Sequence, residues 1–149
     1  SLLQYALPFP EGWLHDEWLG VIAAAVGEVD VVEERLVAYR QHEGNLIGAA
    51  RLGPLQKFRL ALGPRGLIHV ERARKAETLL ARLTSLGSSV KTGILPKVQE
   101  KVEHQRFRAQ LPPARVRRIR PIIREVLAGR YSKFGRGFRG VIRDLFEGV

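Results

Sequence analysis

Three observations predict a mainly helical chain with a small α/β part at its start. From about residue 55 onward, apolar residues recur at helical spacing in blocks separated by glycine and proline. Before that point, one helical stretch is followed by two short runs rich in β-branched residues. Charge divides the chain at nearly the same place. Residues 1–50 hold two basic and eight acidic residues, whereas residues 51–149 hold 23 basic and seven acidic ones. Two regions follow: an α/β segment at 1–50 and a basic helical region at 51–149. Such asymmetry points to parts of a chain that face different partners.

The elements follow in order. Leu7-Pro8-Phe9-Pro10-Glu11-Gly12 is loop chemistry, because two prolines and a glycine block both helix and central strand. A helix is predicted over residues 15–26, where Trp18, Val21, Ile22 and Ala25 share a face and Gly27 ends it. Asp16 and Glu17 fall in its first turn, where the helix dipole favours negative charge. Residues 29–32 and 35–40 read as strands, and residues 41–45 as a loop. Further helices are predicted over 55–62, 67–86, 95–110, 114–127 and 138–146, with Pro121 expected to kink the fourth of these. Two short strands do not make a stable sheet, so this segment is expected to join strands from outside the chain.

Several classes are excluded by composition. With 149 residues and 45% hydrophobic content the chain can build one ordinary core. The absence of cysteine removes disulfides, thiolate zinc sites and cysteine nucleophiles, and is compatible with a reducing cytoplasm. No apolar run reaches the ~20 residues of a membrane span. Ser1-Leu2-Leu3-Gln4 has no basic stretch before an apolar run, so it does not read as a signal peptide.

Two clusters can carry chemistry. In Trp13-Leu14-His15-Asp16-Glu17-Trp18, a pair of carboxylates, an imidazole and two indoles meet at a loop-to-helix junction. Carboxylates serve as general bases and Trp faces stack on sugars or bases. The competing reading makes Asp16 a helix cap and both tryptophans core. In Tyr39-Arg40-Gln41-His42-Glu43-Gly44-Asn45, Arg40 and His42 can contact a diphosphate, and His42 can ligate a metal. A polar turn with a backbone-satisfied His42 is the alternative.

Taken together and in this order, Leu7-Pro8-Phe9-Pro10, Leu14-His15-Asp16-Glu17-Trp18 and Tyr39-Arg40-Gln41-His42-x-Gly44-Asn45 resemble family 2 glycosyltransferases of the GT-A fold. The likeness is to bacterial enzymes of surface-polysaccharide synthesis, including rhamnosyltransferase-like members. The segment Gly129-Arg130-Tyr131-Ser132-Lys133-Phe134-Gly135-Arg136-Gly137-Phe138-Arg139 is similar to the end of the same group.

The resemblance implies that the chain is the C-terminal portion of a GT-A fold followed by a helical tail. It implies transfer of a sugar from a nucleotide-diphosphate sugar to a glycan or lipid-linked acceptor, with inversion. Asp16 would take the proton of the acceptor hydroxyl, with Glu17 as the fallback. His15 and Trp18 would shape the acceptor pocket, and Arg40 and His42 would lie near the diphosphate and a divalent cation (Mg²⁺ or Mn²⁺). The family's Asp-X-Asp motif and Gly-rich nucleotide turn are absent from this sequence. The chain alone is therefore not expected to catalyse the reaction.

Residues 114–143 carry ten basic side chains, among them Arg115, Arg120, Arg124 and Arg139. Basic amphipathic helices lie on anionic membranes, so a cytoplasmic protein, peripheral on the inner membrane face, is expected. A solvated arginine face, with the apolar stripes packed on one another, is the alternative. A basic helical module that binds membrane or nucleic acid without catalysis is the rival, its nucleic-acid form supported by a pI near 10.8. It lacks a nucleic-acid fold signature and has no need of the acidic, Trp-flanked cluster.

Overall fold

The computed structural model describes residues 1–34 and 68–147. Among them the chain forms seven helices: α1 (Leu3–Ala6), α2 (His15–Val26), α3 (Ile68–Leu86), α4 (Ile94–Ala109), α5 (Arg115–Leu127), α6 (Arg130–Phe134) and α7 (Phe138–Phe146). A 3₁₀ turn, Gly87–Ser89, links α3 to α4. Five predicted helices stand within about a residue of their expected ends, because glycine and proline punctuate the apolar periodicity there. Gly27 stops α2 with its N–H on the Ala23 carbonyl at 2.8 Å. Gly93, at φ 82°, opens α4 from the left-handed region that other residues avoid. Pro121 lies inside α5 without ending it.

The α/β start and the GT-A assignment are corrected. No strand occurs among the described residues, and a GT-A fold needs a central β-sheet. Residues 29–32 form neither helix nor strand, and pair with no strand among the described residues, with Val29, Val31 and Val32 exposed at 60%, 80% and 63%. Their β-branched side chains suit a sheet, but a strand without a ladder has neither hydrogen bonds nor a face to bury. The second expected strand (35–40), the loop at 41–45 and the helix at 55–62 lie outside the described residues.

Two apolar centres hold the helices. The first gathers Ala6, Trp18, Ile22 and Ala25 with Leu79 and Leu83 of α3. Residues on both sides of position 50 thus share one core. The Trp18 indole N–H donates to the Ala6 carbonyl at 2.8 Å. Arg82 of α3 secures the end of α1, its Nε donating to Tyr5 O at 2.8 Å and its Nη2 to Leu7 O. The second centre joins Leu111, Ile122 and Tyr131, flanked by Phe107, Val141 and Leu145.

The second centre is reinforced by buried polar groups. Arg108 of α4 makes a bidentate pair with Asp144 of α7, at 2.7 and 2.8 Å. The Tyr131 hydroxyl donates to the same carboxylate at 2.8 Å. Arg118 is wholly buried and donates to the carbonyls of Pro112, Pro113, Asp144 and Glu147. One guanidinium therefore ties the α4–α5 loop to the end of α7. Its planar fork can satisfy several carbonyls at once, which an ammonium cannot do as well.

Two buried histidines complete the set. His69 Nε2 lies 2.9 Å from Glu147 Oε2, and His104 Nδ1 lies 2.7 Å from Glu125 Oε2. In each ring the other nitrogen has no partner among the described residues. A neutral ring that donates its one N–H to the carboxylate fits this arrangement; a protonated ring would bury an unpaired donor. Burial is the main cause holding both pKa values below 6.5, against the raising effect of the glutamates.

This sets the sign of the acid response. Below about pH 6.5 the unfolded chain takes up protons that the folded histidines refuse. Stability is present above that pH and is lost as pH falls toward the folded values. The thermal unfolding midpoint is expected to drop by several degrees between about pH 7.5 and 5.5. A midpoint that holds or rises would show the histidines to be charged in the fold.

Candidate functional site

The described surface carries a cleft of about 800 Å³ where α2, α3, α4, α6 and α7 meet. Trp13 and Glu17 reach it from the start of α2. Phe134, Gly135, Arg136 and Arg139 reach it from α6 and α7. Arg72 and Lys75 of α3, Lys101, Gln105 and Arg108 of α4, and Arg143 of α7 complete the wall. Seven cationic side chains and one carboxylate thus surround a single space.

Local structure explains the opening. Gly135 follows α6 where a Cβ would come within 2.9 Å of the Tyr131 carbonyl. At Gly140 a Cβ would meet the Tyr131 ring at 3.3 Å, so its absence lets α7 lie against α6. The Arg108–Asp144 pair fixes that hairpin to α4 from beneath.

The charges in the cleft differ in their partners. Arg108 is neutralised by Asp144, Arg143 pairs with Glu147 Oε1 at 2.7 Å, and Lys75 pairs with Glu17 at 2.9 Å. Arg72, Lys101, Arg136 and Arg139 have no carboxylate within ion-pair distance among the described residues. Burial, followed by the like charges of Arg108, Arg143 and Arg136, holds the Arg72 guanidinium below its ordinary range. The cleft therefore concentrates positive potential behind low-dielectric walls. Two buried polar atoms on its lining residues also lack partners among the described residues: the donor Trp13 Nε1 and the acceptor Gln105 Oε1.

The residues named from sequence fall in different places. Asp16 is exposed in the first turn of α2, its Oδ1 accepting the Glu17 N–H at 2.9 Å. Glu17 lies on the cleft rim, held by Lys75. His15 is exposed beside them. Trp18 is 1% exposed and belongs to the first apolar centre, where Trp13 meets it edge-on at 5.1 Å. Trp13, rather than Trp18, presents an indole to the cleft, with the Lys75 ammonium 5.2 Å from its ring centre. Arg40 and His42 lie outside the described residues.

The divalent cation implied by resemblance finds no fitting ligand set among the described residues. His69, Asp144 and Glu147 bring ligand atoms within 4.8 Å of one another. However, both Asp144 oxygens already accept from Arg108, His69 donates to Glu147, and Arg118 lies alongside. A cation there would displace a bidentate pair and face two guanidinium groups, so the group is a buried ion-pair network.

A second surface lies on the other side of the α6–α7 hairpin. An apolar groove of about 700 Å³ runs between α5 and α7, lined by side chains such as Val116, Ile119, Ile123, Phe138 and Phe146. Val116, Leu127 and Phe138 are 79%, 82% and 76% exposed. Every exposed charged residue of α5 and α7 is an arginine, since Glu125 and Asp144 are buried.

Comparison with protein-family models, with curated proteins and with solved structures finds no match. Sequence reasoning located Glu17 and the segment around Arg136, but not the contributions of α3 and α4. The available signal was the recurrence of Arg72 and Lys75, and of Lys101, Gln105 and Arg108, at three- to four-residue intervals along one side of a helix.

Proposed function

We propose that this chain belongs to a glycosyltransferase, in which it supplies the acceptor-side helix α2 and a basic surface for phosphate-bearing ligands. One observation carries the reading. Of the two segments that resemble family 2 glycosyltransferases, one brings Trp13 and Glu17 and the other Phe134, Gly135, Arg136 and Arg139 to one cationic cleft, although they lie far apart in sequence. The reading concerns the reaction and does not depend on the GT-A sheet.

In this scheme the Asp16 carboxylate removes the proton from an acceptor hydroxyl. The oxygen attacks the anomeric carbon of a nucleotide-diphosphate sugar, and the nucleoside diphosphate leaves from the opposite face. Asp16 is exposed in the first turn of α2 and so open to an incoming acceptor. Glu17, engaged by Lys75, is the less available of the two. In the complete enzyme, Asp16→Asn is expected to cut turnover by about 10²–10⁴ while nucleotide-sugar binding persists. Retained turnover would remove Asp16 from the base role.

The arginine-flanked apolar face of α5 and α7 favours a peripheral position on the inner face of a membrane, where lipid-linked acceptors lie. No helix among the described residues is long and apolar enough to cross a membrane. The chain is expected to co-sediment with vesicles containing phosphatidylglycerol and to leave neutral phosphatidylcholine vesicles in solution. Preference for RNA over anionic vesicles would favour the nucleic-acid reading instead.

A further inference from the structure

We infer that the cleft between α3, α4 and the α6–α7 hairpin is a binding site for a phosphorylated sugar, with Arg72, Arg136 and Arg139 on the phosphate and Gln105 on a sugar hydroxyl. The inference deepens the reading above by assigning a ligand class to the same cleft, and its geometry stands independently of Asp16.

The chemistry follows from what the cleft lacks. Its acidic complement is used up: Asp144, Glu147 and Glu17 are committed to Arg108, Arg143 and Lys75. Arg72, Lys101, Arg136 and Arg139 remain without carboxylate partners among the described residues. Converging guanidinium groups repel one another until an anion enters between them. Burial first, and then the like charges of Arg108, Arg143 and Arg136, hold the Arg72 guanidinium below its ordinary range. A phosphate dianion answers the repulsion best, because its oxygens accept several charge-assisted hydrogen bonds at once and match the planar guanidinium fork.

A bare anion would leave the rest of the cleft unused. Gln105 is 5% exposed, with Oε1 lacking a donor among the described residues. A carbonyl oxygen repels phosphate oxygens but accepts a hydroxyl. Trp13 has a buried indole N–H without an acceptor among the described residues, and a ring against which a sugar's C–H face can pack. Hydroxyls and phosphate on one small molecule satisfy both requirements, and about 800 Å³ accommodates a monosaccharide phosphate or diphosphate.

The test is calorimetric titration of the chain with glucose 1-phosphate, with glucose, and with inorganic diphosphate, alongside vesicles containing phosphatidylglycerol. Saturable one-to-one binding of glucose 1-phosphate, with glucose alone silent, is the expected result. Arg136→Gln and Arg139→Gln are exposed changes that leave the core intact, and each should weaken binding by about ten-fold. Arg120→Gln, which removes the same charge from α5 outside the cleft, should leave it unchanged. Gln105→Leu should weaken glucose 1-phosphate but not diphosphate.

Binding that falls equally in the Arg120 variant would overturn the site in favour of general attraction. Failure of glucose 1-phosphate to saturate, whether or not vesicles bind, would overturn it as well. Asp16→Asn should bind glucose 1-phosphate as the parent chain does, so failure of the glycosyl-transfer reading and failure of this site are separable.

Discussion

Replacing Asp144 by Ala is expected to cost about 3–5 kcal/mol of folding stability. The carboxylate is wholly buried and receives both arms of Arg108 as well as the Tyr131 hydroxyl. Burial alone would raise its pKa, but the bonds and charge of Arg108, aided by the Tyr131 hydroxyl, hold it below the ordinary carboxylate value. Removing it leaves the Arg108 charge buried without its carboxylate and the Tyr131 hydroxyl without its acceptor. Asp144→Asn keeps the shape but not the charge and should also destabilise. Urea unfolding measures both, and a loss below about 1 kcal/mol for the Ala variant would show that the pair is not a structural anchor. Because Gly135, Arg136 and Arg139 stand on the hairpin that this pair secures, a milder variant that still folds should lose sugar-phosphate binding before it loses helicity.

Trp18→Ala is the second large effect, at about 3–5 kcal/mol. The indole fills the first apolar centre between α1, α2 and α3, and its N–H satisfies the Ala6 carbonyl. Deletion opens a cavity and also removes that bond. Trp18→Phe should recover part of the packing but not the hydrogen bond, and so fall between the two. A Trp18 in an acceptor pocket would behave oppositely: its loss would change ligand binding while stability held. The unfolding midpoint and the binding constant, measured on the same variant, separate these roles.

The sequence revealed the helices that are long enough to show a period. Trp18, Ile22 and Ala25, and later Ala73, Ala76, Leu79 and Leu83, mark buried faces at three- to four-residue intervals. Gly27 and the Pro112-Pro113 pair mark ends that the structure respects. The helices α1 and α6 went unseen because four or five residues complete little more than one turn. The strand assignment at 29–32 failed for a related reason. Composition states what a segment suits, but pairing decides whether a strand exists.

The site was half visible. Trp13 to Glu17 and Phe134 to Arg139 each stood out, but nothing local in the sequence says that they face one another. The buried polar network was hidden more completely. Arg108 and Asp144 are 36 positions apart and His69 and Glu147 are 78 apart, and each reads in isolation as a surface charge. Trp18 illustrates two signals in conflict: its place in a dense cluster suggested a pocket, and its place in the helical stripe indicated core. Burial in the first apolar centre agrees with the stripe.

The most direct test of the account watches the two segments together. In a nitrogen–proton correlation spectrum of the chain titrated with glucose 1-phosphate, the Trp13 indole N–H and the amides of Gly135, Arg136 and Arg139 should shift along one saturating curve. The Trp18 indole, bound to Ala6 inside the core, should stay in place. No saturating shift at Trp13, or shifts confined to α5, would contradict the claim that the cleft is the functional site.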